Sequence, residues 1–258
     1  MSKRVLAALL LVAAAQLAPA QASAPLTESA ARPFAVGERS VYDVNFWIFG
    51  RAGSSTIDVL PIDTVRGRDA YRFMFTVTGG VPFYKIRDTL QSWVDTAGFR
   101  VLRFMQDQEE GGKNRTRDYA VFPDRLVYSE SGKPELPSVA NPLDEISFLF
   151  FVRSQKLTVG DTYTYQNYFK PESNPVKLIV LRKEQIDVPY GKKISTIVVQ
   201  PIIKTRGLFS QGGRAEVWFS DDSARIIVQM KSHLSVGTLT MRLKSYRASA
   251  SAEVRLQK

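Results

Sequence analysis

Tyr71-Arg72-Phe73-Met74-Phe75-Thr76-Val77-Thr78-Gly79-Gly80 is the stretch that decides the fold. Tyr71, Phe73, Phe75 and Val77 alternate with Arg72, Met74, Thr76 and Thr78, and a period of two means a strand with one face on a core. The glycine pair that follows suits a turn. The same rhythm recurs outward in both directions. Tyr42, Val44, Phe46 and Ile48 alternate with Asp43, Asn45 and Trp47, and Leu239, Met241 and Leu243 alternate with Thr240, Arg242 and Lys244. Gly111-Gly112, Pro123-Asp124, Tyr190-Gly191 and Asp221-Asp222 punctuate the chain as turns between antiparallel neighbours do. The chain is therefore expected to be all-β, a long antiparallel meander of about twelve strands.

One segment breaks this rhythm. Asn141 can cap a helix that has Pro142 at its first position, and Asp144 and Glu145 suit the positive end of the opening turn. Leu143, Ile146, Leu149 and Phe150 then fall on one stripe, which predicts a helix over 142–153 as a plug or lid on one end of the sheet. A fully buried strand over Phe148 to Val152 is the competing assignment.

Composition narrows the chemistry. The 258 residues are 44% hydrophobic and 23% charged, as in an ordinary globular protein. The absence of Cys excludes disulfides, thiolate metal sites and cysteine nucleophiles. One histidine, His233, excludes a multi-histidine metal site and argues against a serine–histidine hydrolase. Between Ser232 and Leu234 it reads as an ordinary strand side chain. No glycine-rich loop precedes a helix, and no loop has the spacing of a calcium site, so no cofactor or metal is expected.

Lys3 and Arg4, the apolar residues from Val5 to Leu17, and Ala20-Gln21-Ala22 make residues 1–22 a secretory signal cleaved near Ala22. Ala18-Pro19-Ala20 offers a second cleavage site, and the run is short for a retained membrane anchor. Residues 23–33 read as a linker, and 34–258 as a single β domain in the periplasm with no transmembrane segment after cleavage. Without Lys3 and Arg4 there are 33 basic and 25 acidic residues. Residues 23–130 are balanced, 14 against 14, and the surplus lies in 131–258, 19 against 11. Such a field attracts anionic headgroups or acidic glycans, or serves solubility alone. Nucleic acid is not an expected partner of an exported chain.

The chain also repeats itself. Val36-Gly37-Glu38 is echoed by Val159-Gly160-Asp161, and Gly67 by Gly191. Trp93, Arg100 and Met105 recur as Trp218, Arg225 and Met230 at a constant offset of 125. The expected halves are 34–130 and 157–247, joined by the helix and able to share one core.

These residues resemble those of an exported bacterial family, domain of unknown function 3108. The matching elements are Val36-Gly37-Glu38 with Tyr42 and Phe46, Ala52-Gly53, Phe83-Tyr84-Lys85-Ile86-Arg87-Asp88, the helix from Pro142 to Arg153, and Val159-Gly160-Asp161. Gly207-Leu208-Phe209, Trp218, Asp221-Asp222 with Arg225, and Gly237 complete the set. The likeness runs from 34 to about 247; Ile227 and Tyr190 depart from it, which bears on local strand geometry. It implies a meander bent into a half-barrel, similar to the periplasmic lipoprotein-carrier fold, in a Gram-negative envelope. It brings no catalytic residues.

Candidate sites follow from residue type and place. Asp107, Glu109 and Glu110 cluster near a turn, and a glycosidase needs two carboxyl groups at a set separation, but a solvated hairpin tip leaves such groups too wet to act as acids. In the segment from Phe83 to Asp88, Lys85 and Arg87 flanked by aromatics could hold an anionic headgroup. Arg87 could equally pair with Asp88 or Glu38 and only fix register. Phe46-Trp47-Ile48-Phe49 is apolar on both faces, so the helix or a ligand should cover it. The expected ligand-binding set is thus Phe46, Trp47, Phe49, Phe83, Tyr84, Lys85, Arg87 and Trp93. The function expected is a soluble, non-catalytic envelope protein that binds a lipid, another amphiphile or an anionic glycan, or scaffolds a protein partner. The alternatives are an outer-membrane β-barrel, a glycan-active enzyme using Asp107, Glu109 and Glu110, and a module that recruits a partner strand at its sheet edges.

Overall fold

The computed structural model of the protein describes residues 32–249, apart from 48, 83, 190–191, 206–214 and 235–236. The predicted leader and all but the last two residues of the predicted linker lie outside the described residues. Eight strands come first: β1 (Arg39–Phe46), β2 (Gly50–Val65), β3 (Arg68–Val81), β4 (Tyr84–Asp95), β5 (Val101–Glu110), β6 (Lys113–Phe122), β7 (Val127–Glu130) and β8 (Leu136–Pro137). A helix, α1 (Glu145–Arg153), separates them from β9 (Thr162–Tyr165), β10 (Val176–Val188), β11 (Lys192–Ile202), β12 (Glu216–Ser220), β13 (Ile227–Leu234) and β14 (Gly237–Arg247).

All fourteen strands belong to one antiparallel sheet, two more than the turn signals suggest. β1 through β8 fan out in sequence order on one side, β14 back to β9 on the other, and pairing of β1 with β14 joins the fans. The edges are the short strands β8 and β9, which leave few backbone groups unpaired. Side chains rather than a ladder link these edges. The Phe169 carbonyl accepts from Ser138 Oγ at 2.7 Å, Lys170 Nζ donates to the Tyr119 hydroxyl at 2.9 Å, and Phe169 packs against Phe104, Tyr119 and Tyr128.

Two strands approach each other unusually closely at one point. Gly53 of β2 and Gly79 of β3 face each other so closely that a Cβ on Gly53 would lie 2.2 Å from the Thr78 carbonyl oxygen, and one on Gly79 2.1 Å from that of Ala52. Only glycine allows strands this near.

The helix starts later than predicted. Asp144, not Asn141, is the N-cap: its Oδ1 accepts from the backbone N–H groups of Ile146 and Ser147, and Ser147 Oγ accepts from the Asp144 N–H. Pro142 and Leu143 are held outside it, the Pro142 carbonyl by Val101 and Leu143 by a bridge to Tyr168. Nor is α1 an amphipathic lid, since all nine of its residues are buried. It fills the concave side of the sheet, with Phe150 stacked on Phe73 at 3.8 Å and Phe34 set edge-on to both.

The helix is also fixed at its far end. Arg153 forms a two-pronged ion pair with Glu38, at 2.6 and 3.1 Å, their side chains only 3% and 7% exposed. The same guanidinium donates to the carbonyls of Ala224 and Pro33. Glu38, considered above as a partner for Arg87, is engaged here instead.

Two local geometries recur between the first and second parts of the sheet. Gly37 and Gly160 have φ of 90° and 93°, and their N–H groups donate to the carbonyls of Val59 and Val180 at 2.8 and 2.9 Å. Trp93 in β4 and Trp218 in β12 each precede a β-bulge, and each indole N–H donates to a carboxylate two strands away, Asp63 on β2 and Glu184 on β10.

Candidate functional site

Strand register gives the molecule two ends. The Arg153 end gathers the β2–β3, β4–β5 and β12–β13 turns, and the Trp47 end gathers the β1–β2 and β5–β6 turns with the start of β14. On the first half of the sheet α1 and its cap meet Phe73 of β3, Ser92 of β4 and Gln106 of β5, each farther from the Trp47 end than Asp88 and Gln108 are.

Alternation places Tyr84, Ile86, Asp88 and Leu90 of β4 on the inner face at the Trp47 end, beside Gln108 and Glu110 of β5 and then Lys113 and Arg115 of β6. Next to Ile86 the floor is bare backbone, since its neighbours in register are Gly79 and Gly53. Val81, Ile86 and Leu90 are half-buried, and Asp88 is 9% exposed. Gln108 donates to Asp88 Oδ2 at 3.4 Å, while the buried Oδ1 has no hydrogen-bond partner. Burial first, and repulsion from Glu110 second, push the Asp88 carboxyl up to about 7. Tyr84 is pushed up by burial and by the same glutamate.

A second polar group lies at the N-terminus of α1. Besides its capping bonds, Asp144 accepts from Ser92 Oγ at 2.5 Å. Glu145 accepts from the Tyr168 hydroxyl at 3.1 Å and from Gln106 Nε2 at 3.3 Å. Burial pushes Asp144 up to about 6, and burial with the Asp144 charge pushes Glu145 up to about 7. All four carboxylate oxygens have donors, so this network anchors the start of the helix to β4, to β5 and to Tyr168.

The sequence-derived candidates divide among these surroundings. Phe46 is buried on the inner face, with Phe49 stacked on it at 6.0 Å. Trp47 and Phe49 lie in a turn rather than a strand and are 78% and 49% exposed, so the helix does not cover them. Hydrogen bonds from Trp47 N–H to Thr238 and from Phe49 N–H to Phe46 end the strand there, and Gly50 turns the chain at φ +67°. Tyr84 is exposed on the inner face, Lys85 and Arg87 are exposed on β4 with Arg87 on its outer face, and Phe83 lies outside the described residues, as do Ile48, Tyr190-Gly191 and Gly207-Leu208-Phe209.

Trp93 stands apart from this group on the convex face. It is 4% exposed, covered by the guanidinium groups of Arg72 and Arg103 at 5.2 and 4.6 Å from its ring. Asp107 and Glu109 also point outward, whereas Glu110 points inward, so these three carboxylates do not converge. His233 is exposed and shares a hydrogen bond with Thr238 Oγ1 at 3.0 Å.

On the inner face of the second half, Met230, Ser232, Leu239 and Met241 line a cavity of about 10 Å³, room for about one water. Among the described residues, no group of three or more His, Cys, Asp or Glu side chains is placed to hold a metal ion. No described helix is long and apolar enough to cross a membrane.

Among solved structures, the chain resembles a β-barrel-like protein of the domain of unknown function DUF1849 from Brucella abortus. That match has a TM-score of 0.53 at 11% identity and covers 83% of this chain and 98% of that one. A candidate lipoprotein from Parabacteroides distasonis matches with a TM-score of 0.32 at 12% identity over the same shares. No curated protein matches. The family model described as protein of unknown function DUF3108 matches residues 41–244, from within β1 to within β14. That span holds nearly the whole sheet, the helix and the inner face at the Trp47 end: the chain belongs to the DUF3108 family.

Proposed function

We propose that the protein is an exported, non-catalytic component of the cell envelope that binds an amphiphile on its inner face at the Trp47 end. The observation that carries this reading is Asp88, nearly buried yet with a free oxygen, on a floor of half-buried Val81, Ile86 and Leu90. A buried polar atom with no partner costs about 1–3 kcal/mol, which a donor on a bound molecule offsets. Apolar surface around a few placed polar groups is what small-molecule sites offer. The ligand lies here and not beneath the helix, because α1 and its aromatic neighbours already fill that space.

The other readings fit less well. An outer-membrane barrel needs an apolar outer face, but here that face carries Arg103 paired with Asp118 and Arg182 paired with Glu184 and Glu216. A glycosidase acting through Asp107, Glu109 and Glu110 would need them on one face.

Organic extraction of the purified exported protein, followed by mass spectrometry, tests the proposal. A co-purified amphiphile is expected, and adding it back at about 100 times its Kd should stabilise the protein by about 2.7 kcal/mol. Repeated extraction without any such molecule, and no rise in melting temperature with phospholipid or fatty acid, would overturn it.

A further inference from the structure

The β1–β2 turn does something the amphiphile site does not require. Trp47 is the most exposed large apolar side chain among the described residues. It is not a loose tip, because its backbone is tied to Thr238 of β14 and its neighbour Phe49 back to Phe46. The other two tryptophans, Trp93 and Trp218, are 4% and 3% exposed. Among the described residues, the exposed aromatics Trp47, Phe49 and Tyr84 all lie at this end, whereas the exposed Val36, Leu126 and Val159 of the opposite end are aliphatic.

Charge completes the pattern. Lys85 and Arg87 at the start of β4, and Lys113 and Arg115 at the start of β6, are exposed and make no ion pair among the described residues. Glu109 and Glu110 are the neighbouring acids on β5, while Arg51 is matched by Asp43. Tryptophan held out at the same end of the sheet as free cations on both faces of its rim suits the headgroup layer of a bilayer, where an indole ring is half in hydrocarbon and half in water. The cations would meet lipid phosphates there.

We propose that the Trp47 end is a membrane-docking surface for an anionic lipid bilayer, with Trp47 and Phe49 entering the headgroup layer and Lys85, Arg87, Lys113 and Arg115 contacting phosphates. A folded protein partner at this end would not give the lipid dependence that follows. The docking surface does not depend on the amphiphile reading, since vesicles can bind a protein that carries no ligand.

The test uses the purified exported protein with vesicles of phosphatidylglycerol and phosphatidylethanolamine, and phosphatidylcholine vesicles as the neutral control. Because the other two indoles are buried, quenching of tryptophan emission by brominated lipid reports on Trp47. Co-sedimentation with the anionic vesicles and quenching are expected, both weakened by salt. Trp47→Ala should lower the vesicle affinity about tenfold or more. Lys85→Gln and Arg87→Gln should each lower it about fivefold. Melting temperatures of these variants should match the parent, because the residues are exposed. Binding to neither vesicle, equal binding to both, or binding that survives Trp47→Ala unchanged would overturn the proposal.

Discussion

Replacing Arg153 by alanine should destabilise the protein by about 4–6 kcal/mol. Removing one partner of a buried ion pair costs about 3–5 kcal/mol, because it strands the other charge, here Glu38. The carbonyls of Ala224 and Pro33 lose a donor as well, which adds about 1 kcal/mol when water reaches one of the two. Against a total stability of about 5–15 kcal/mol, that is a large share. Urea unfolding followed by circular dichroism measures it, and the midpoint of thermal unfolding should fall by about 10–20 °C. The partner variant Glu38→Gln should also destabilise, and the double variant should cost at least about 2 kcal/mol less than the sum of the singles. A cost below about 1 kcal/mol for Arg153→Ala, or strict additivity, would refute the reasoning. It would mean that α1 is a loosely held lid and not a fixed part of the core.

Three further outcomes are expected. The folded protein should hold the Asp88 proton up to about pH 7, whereas an unfolded chain releases it near 3.8. Between those values the folded state binds the extra proton, so this contribution to stability is complete below about pH 4 and is lost as pH rises through 7. Asp88→Asn should therefore gain stability relative to the parent on going from pH 5 to pH 8, by up to about 2.7 kcal/mol, as pH-dependent urea titrations would measure. Gly79→Ala should cost at least about 1–3 kcal/mol in the same assay, since its Cβ would meet backbone that cannot yield. Trp93→Ala and Trp218→Ala should each cost about 3–5 kcal/mol and match within about 1 kcal/mol, if the two halves hold their tryptophans in the same way; a large disparity would count against that equivalence.

Much of the fold is legible in single strands. The alternation at Tyr71–Val77 and Leu239–Leu243 is a local property, set by which side of the pleat each residue takes, and it places both segments in strands with the expected inner faces. The same rule misleads at Trp47 and Phe49. Apolar residues continue past Phe46 as if the strand did, but the hydrogen bonds at Trp47 and Phe49 close a turn that composition does not reveal. At the helix, Asn141-Pro142 is a sound generic start, yet Asp144 followed three residues later by Ser147 is the stronger local signal and sets the boundary.

The candidate site was harder to read because depth is a tertiary property. Asp88 alternates with Arg87 in sequence, but only its rows with Val77 and Gln108 bury it. Trp93 could have been placed by parity alone: five positions from Asp88, it must face the opposite way. Asp144 and Glu145 read as surface charges at a helix start until Ser92, Gln106 and Tyr168, far apart in sequence, converge on them.

The most direct test of the central claim is to locate a bound amphiphile by covalent capture. Photolysis of the protein with a diazirine-bearing fatty acid, then peptide mapping, should label residues 46–53 and 77–90 at the Trp47 end, with Asp88→Asn altering the yield. Labelling concentrated on α1 residues such as Phe148, Phe150 and Phe151, or no labelling above that of a denatured control, would contradict it.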